Sequence, residues 1–167
     1  MRDIAGSVGI RQSAIYNHFP SKQHLLVDLM VSHMERLLEA MRVSVGTDGS
    51  PKERLTAFAW FHVTYHIDQP EDVFLAYMEL RSLEPEGRAA IIPLRNAYER
   101  TLRDILDAGA EDGTFSIADC SVVTRALLAM LTGVTVWFRE PGRLDRKTVA
   151  DAYVATVLQS VGCAPDP

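Results

Sequence analysis

The sequence is short of the features that mark scaffolds, membrane proteins and most enzymes. It has two cysteines, Cys120 and Cys163, and no CxxC pair. That removes a disulfide scaffold and a cysteine metal cluster, and it suits a reduced cytoplasmic protein. No run of 18 apolar residues stands out, so no membrane span is expected, and Met1-Arg2-Asp3 does not open a signal peptide. No Ser-His-Asp arrangement, P-loop or glycine-rich dinucleotide loop is recognisable, so neither catalytic residues nor a cofactor are expected. No internal repeat, low-complexity segment or convincing strand pattern appears. A net positive charge is also lacking: the formal charge is -5. This argues against a wholly basic nucleic-acid coat but leaves local DNA binding open, because the field depends on where charge sits.

The 167 residues are 47% hydrophobic, enough for one good core or a small module docked on a larger one. Charged residues of both signs make up 23%, which argues against disorder. In residues 1–22, Arg2, Arg11 and Lys22 outnumber Asp3 by two, leaving -7 on the remainder. A DNA-reading tip on an acidic body would show that asymmetry.

The tip is legible in its spacing. Residues 2–8 read as one short helix and Gly9 as a turn. A second short helix then ends at Phe19, and Pro20-Ser21-Lys22 opens a long amphipathic helix. Ile4, Ala5, Val8, Ile10, Ile15 and Phe19 can face inward. Arg11, Gln12, Ser13, Tyr16, Asn17 and His18 are left on the face that a DNA major groove would meet, the arrangement of a helix-turn-helix.

Everything downstream reads as helix. Ser21 caps a helix whose stripe is Leu26, Met30, Met34, Leu37 and Met41. Residues 46–49 end it and mark the expected boundary between a headpiece, residues 1–45, and a body, residues 46–167. Ser50, Pro51 and Glu53 form a capping-box start. Residues 84–87 read as a turn, and further helices are expected over residues 51–67, 71–83, 88–108, 120–138 and 146–161. Pro93 predicts a kink or a fresh start. The helix over residues 120–138 is so apolar from Ala126 to Phe138 that it predicts cover on all sides. His62 and His66 have metal spacing, but no Glu follows His62 and no third ligand is obvious. They read better as polar groups in or near a pocket.

The residues Arg2, Ile4, Ala5, Gly9, Ile10, Ile15, Tyr16, His18, Phe19, Ser21, Lys22 and Leu25 strongly resemble the helix-turn-helix of the TetR family of bacterial transcriptional regulators. The resemblance implies an all-α chain with a DNA-binding headpiece and a helical ligand-binding and dimerisation domain. Arg11, Gln12, Ser13 and Asn17 would face base edges, while Tyr16, His18 and Lys22 would anchor phosphates. Arg11 stands where the family usually has a Ser or Thr cap, a loss of about 1 kcal/mol.

The body is similar to members that control fatty-acid, sterol and acyl-CoA catabolism. The similarity rests on Ile105-Leu106, Gly109, Gly113, Phe115 and the run from Trp137 to Leu144. It implies a hydrophobic inducer, with an acyl-CoA thioester as a candidate. Trp60, Phe61, Tyr65, Phe74, Tyr77, Met78, Tyr98, Met130 and Trp137 would line its pocket. Arg81, Arg88, Arg95, Arg139 and Arg143 are available to CoA phosphates. A homodimer would form through the last two helices, where Ala126, Ala129, Thr132 and Gly133 allow close approach. The implied function is a repressor released from double-stranded operator DNA by its ligand.

The family's longer first helix is expected to be missing here, since Met1 falls just before the Arg-x-Ile-Ala match. Each apolar side chain left wet by that would forgo roughly 1.5–3 kcal/mol. The alternative function is therefore a dimeric small-molecule-binding protein that no longer reads DNA.

Overall fold

The computed structural model describes Gly6, Gly9 and residues 11–163, with the backbone alone at Gln12 and Ile15. The helix expected over residues 2–8, and the packing expected of Ile4, Ala5, Val8, Ile10 and Ile15, lie outside the described residues. Among those described there are eight α-helices, one 3-10 turn and no strand. The all-α expectation holds.

Gly9 turns the chain at a φ of +69°, a conformation that glycine adopts without a Cβ penalty. Helix α1 (Gln12–His18) follows, and its first turn is tied by the Ala14 N–H donating to the Arg11 carbonyl at 2.9 Å. Helix α2 (Lys22–Val45) begins at Ser21, whose hydroxyl accepts from the His24 N–H at 3.2 Å. Its buried side chains are Met30, His33, Met34, Leu37, Met41 and Val45. Steps of three and four put them on one face, so most of this helix is rooted in the body.

Helix α3 (Pro51–Asp68) is the axis of the body. The expected capping box forms: the Ser50 N–H donates to Glu53 Oε2 at 2.8 Å, and the Glu53 N–H donates to Ser50 Oγ at 3.3 Å. Leu55, Phe58, Ala59, Phe61, His62, Val63, Thr64 and His66 are all buried. They cover most of the helix because α2 and the four helices from α5 onward pack around it, leaving Trp60 exposed.

Helix α4 (Pro70–Met78) passes into a 3-10 turn (Glu79–Ser82), shorter than the single helix expected to residue 83. Helix α5 (Pro85–Glu111) runs for 27 residues and continues through Pro93, so the fresh start does not occur there. Pro93 forfeits a bond to the Ala89 carbonyl, but both residues lie on the exposed side of the helix, where the cost of that loss is small.

The helix expected over residues 120–138 is instead two, α6 (Cys120–Thr132) and α7 (Val134–Trp137), parted at Gly133. It is not covered on all sides either: Thr124, Leu127, Leu131 and Val134 are buried, while Val122, Ala126, Ala129, Val136 and Trp137 are exposed. The stretch Cys120–Trp137 is apolar and long enough, by composition, to cross a membrane, which corrects the expectation that no such stretch exists. Here its apolar side packs on α3 and α5. Helix α8 (Arg146–Ser160) starts at Asp145, whose carboxylate accepts from the Thr148 N–H at 2.7 Å, and it buries Val149, Ala150 and Val157.

A small separate cluster joins the headpiece end to the body. Met30 of α2, Leu83 and Ile91 of α5 are its buried centre, with Leu26, Val27, Val31, Leu75 and Leu80 around them. Gly87 makes this contact close: a Cβ there would stand 2.6 Å from Val27 Cγ2.

Candidate functional site

The headpiece presents a compact polar face. Arg11, Ser13, Tyr16, Asn17, His18 and Lys22 are all exposed, and the Gln12 side chain lies outside the described residues. Ser13, Tyr16 and Asn17 stand three and four apart on α1, so they share one side. Arg11 precedes the helix and Lys22 opens α2, which places a cation beyond each end of that side. Phe19 is half-buried, in keeping with an inward role. A face of hydroxyls, an amide and cations at helical spacing can meet base edges and phosphates.

The body holds a polar network in its core. Tyr98 Oη and His62 Nδ1 are 2.9 Å apart, His62 Nε2 and Thr132 Oγ1 3.1 Å, and Thr132 Oγ1 and Tyr77 Oη 3.0 Å. These residues come from α3, α4, α5 and α6, so one chain of hydrogen bonds ties four helices together. At its outer end the Arg95 guanidinium lies 4.8 Å above the Tyr77 ring and donates to the Ala76 carbonyl at 3.4 Å.

The ring of His66 stacks on that of His62, with centroids 3.8 Å apart and planes within 12°. Burial, reinforced by the neighbouring His66, holds His62 well below the usual histidine range. His66 is held down at about 3, by burial first and then by nearby His33. Burial raises the Tyr98 phenol well above its usual value. All three are neutral near pH 7. The histidine spacing therefore makes a stacked neutral pair. Both His62 nitrogens already have hydrogen-bond partners, and no cluster of three or more metal-ligating side chains occurs among the described residues.

A second polar site lies beside it. His33 of α2 is buried with Nδ1 3.6 Å from Asp72 Oδ2, and Arg36 donates to the same oxygen at 2.9 Å. Asp72 belongs to α4, so this triad pins the stalk helix to the helix that carries Tyr77. Burial lowers the His33 pKa, and Asp72 opposes that shift.

The nine aromatic and methionine side chains expected to line a pocket are not gathered in one place. Phe61 and Tyr98 are buried, and Tyr65 and Met130 half-buried. Trp60 and Phe61 border an open cleft of about 880 Å³ together with Ser44, Lys52 and Thr56. Met130 and Trp137 border another of about 330 Å³ against Tyr153 and Leu144. Phe74, Tyr77 and Met78 form an exposed apolar strip on α4, with Phe74 and Met78 each 61% exposed. Thr132 is the participant that sequence reasoning placed elsewhere, as a small residue at a helix seam. Its only local signal is a hydroxyl at the end of an apolar helix.

The outer faces of α6, α7 and α8 are bare. Val122, Ala126, Ala129 and Val136 are exposed alongside Ala152, Ala155 and Thr156. Trp137 and Tyr153 brace α7 against α8, the indole N–H donating to the Tyr153 hydroxyl at 3.2 Å. Small and apolar side chains dominate this face, which suits close contact with another helix pair.

A solvent-facing helix on a stalk that roots in an all-helical body is the build of a DNA-binding transcriptional regulator. The chain belongs to the TetR family: residues 1–29 match the bacterial regulatory proteins of the tetR family, and residues 48–161 match a tetracyclin repressor-like C-terminal domain. It is 31% identical over 166 residues to the HTH-type transcriptional repressor KstR2 of Mycobacterium tuberculosis, covering 96% of this chain and 82% of that one. A bacterial regulatory protein in the tetR family from Rhodococcus RHA1 superposes with a TM-score of 0.91 at 30% identity, covering 98% of this chain and 86% of that chain. The structure of AibR in complex with isovaleryl coenzyme A and operator DNA shares the fold, with a TM-score of 0.83 at 23% identity and coverage of 93% and 84%.

Proposed function

We propose that this chain is a homodimeric repressor that a hydrophobic ligand, an acyl-CoA thioester, releases from its operator. Residues 1–45 would read DNA, and residues 46–167 would bind the ligand and dimerise. Arg11, Gln12, Ser13 and Asn17 would meet base edges, and Tyr16, His18 and Lys22 would hold phosphates.

One observation carries the reading. The stalk α2 is a single helix of 24 residues whose first turn adjoins the headpiece and whose remainder packs one face against α3, α4 and α5. A shift of those helices must tilt the headpiece. In a dimer, two headpieces must meet successive major grooves about 34–36 Å apart, so a tilt abolishes simultaneous contact. The ligand acts by favouring the body arrangement with the wrong spacing.

Kinship with KstR2, which is named a repressor, supports repression. The apolar strip of α4 beside Arg95, and the exposed Arg81 and Arg88, supply an apolar surface with cations close in sequence. That combination suits an acyl chain on a phosphate-bearing carrier, and AibR, of the same fold, takes isovaleryl coenzyme A. The bare face of α6, α7 and α8 supports the dimer.

The test is an anisotropy titration of the purified protein against an operator duplex selected from random sequence, with and without octanoyl-CoA. The expected result is sequence-specific, salt-sensitive binding that the thioester weakens about 100-fold, a coupling of about 2.7 kcal/mol. Specific binding indifferent to every acyl-CoA would remove the inducer, and ligand binding without specific DNA binding would remove the regulator.

A further inference from the structure

We infer that the Tyr77 hydroxyl is a hydrogen-bond donor for an oxygen on the bound ligand, and that Tyr98, His62 and Thr132 hold it in that donating sense. The inference rests on the acyl-CoA reading and names the atom that this ligand must offer, the thioester carbonyl oxygen.

The direction follows from counting hydrogens. A neutral imidazole carries one N–H and each hydroxyl carries one O–H. Tyr98, His62, Thr132 and Tyr77 therefore bring one more hydrogen than the chain of contacts between them can use. The spare hydrogen is left on Tyr98, on Tyr77, or on Thr132 where its oxygen accepts from both neighbours. Tyr98 is the inner end, 5% exposed, and its hydroxyl meets His62 Nδ1. If Nδ1 carried the imidazole hydrogen, Tyr98 would accept, and its own hydrogen would be buried with no acceptor in that chain. An unmade bond of that kind is the costly arrangement.

Tyr98 therefore donates to Nδ1, and the His62 Nε2–H donates to Thr132 Oγ1. The Thr132 hydroxyl then donates to Tyr77 Oη. Thr64, Thr101, Thr124 and Thr156 instead spend their hydrogens on the carbonyl four residues back, whereas Thr132 is bonded to His62 and Tyr77. The spare hydrogen emerges on Tyr77, which is 40% exposed.

The surroundings of Tyr77 select an electron-rich acceptor. The Arg95 guanidinium above the ring strengthens the phenol as a donor and disfavours a cationic ligand. Phe74 and Met78, one turn apart on the same helix, offer apolar surface next to Tyr77 for an alkyl chain.

Two measurements test this. The first is the tautomer of His62, read from imidazole ¹⁵N shifts of the free protein at pH 7. The expected form carries the hydrogen on Nε2, and a hydrogen on Nδ1 would overturn the inference. The second is calorimetry with octanoyl-CoA and its thioether analogue S-octyl-CoA, which lacks the carbonyl oxygen. The wild-type protein should prefer the thioester by about tenfold, the worth of one good hydrogen bond.

Tyr77→Phe should abolish the preference while leaving thioether affinity unchanged, which also shows that the variant's site is folded. Thr132→Val should abolish it too, and Thr132→Ser should keep it. A full preference in Tyr77→Phe, or none in the wild type, overturns the inference and leaves the acyl-CoA reading standing. Binding of neither compound to the wild type overturns both.

Discussion

The side-chain amide of Gln23 donates to the Ser82 carbonyl at 2.8 Å, and its oxygen accepts from the Glu84 N–H at 3.4 Å. Gln23 is in the first turn of the stalk, and Ser82 and Glu84 flank the turn between the 3-10 segment and α5. One amide thus spans the point where headpiece and body meet. It lies beside the apolar cluster of Met30, Leu83 and Ile91. The cluster presses the two elements together without fixing their register, and the amide supplies direction.

Replacing Gln23 by Leu keeps apolar volume and removes both bonds. The ratio of operator affinities without and with octanoyl-CoA should shrink by about threefold to tenfold, the size of one or two ordinary hydrogen bonds. Ligand affinity of the free protein should change much less. An unchanged ratio would mean that apolar packing alone transmits the shift.

The stacked histidines predict acid sensitivity in a window where most carboxylates are still ionised. An unfolded histidine takes up a proton near its ordinary 6.5, whereas folded His66 refuses it until about 3. Its folded pKa is depressed, so the folded state is favoured above 6.5 and loses ground as pH falls between those values. The limiting slope is about 1.4 kcal/mol per pH unit for each such histidine, and His62 shifts in the same direction. Urea midpoints measured from pH 7 to pH 5 should fall accordingly. His66→Phe, which keeps a stacking ring, should make the fall shallower, and an equal fall in the variant would show that other groups cause it.

The bare face of α6, α7 and α8 makes a prediction about assembly. Val136 is 76% exposed in the isolated chain, so a charge there should cost the fold little. Val136→Asp and Ala129→Arg should each yield folded monomers by sedimentation, and operator affinity should fall with the dimer. Dimers persisting in both variants would place the interface elsewhere.

What the sequence disclosed and what it hid divide along the range of the interactions. Capping at Ser21, Ser50 and Asp145, the stripe of Met30, Met34, Leu37 and Met41, and the all-helical class are local patterns, and they were legible. Pro93 misled as a fresh start because a proline's damage depends on which side of the helix it faces, which a sequence does not state. Gly133 was read as a small residue at a helix seam, not as a break, inside an apolar run that reads as continuous helix. The chain from Tyr98 to Tyr77 joins residues up to 70 positions apart, and no periodicity announces it. The spacing of His62 and His66 did announce a shared face, but metal binding and ring stacking require the same spacing.

The headpiece supplies the last prediction, and salt separates its roles. A phosphate anchor contributes through counterion release, so losing it weakens all sequences alike and flattens the salt dependence. Lys22→Ala should therefore lower the slope of log affinity against log salt by about one per headpiece, while leaving operator preference intact. Asn17→Ala should do the reverse: it should relax preference at one base pair by about 1–3 kcal/mol and leave the slope unchanged. Tyr16→Ala, which removes a neutral anchor, should weaken operator and random duplex together. All three residues are exposed, so dimer formation and ligand binding should survive each change. If Lys22→Ala alters base preference instead, that lysine reads sequence, and its place at the start of α2 has been misassigned to the backbone.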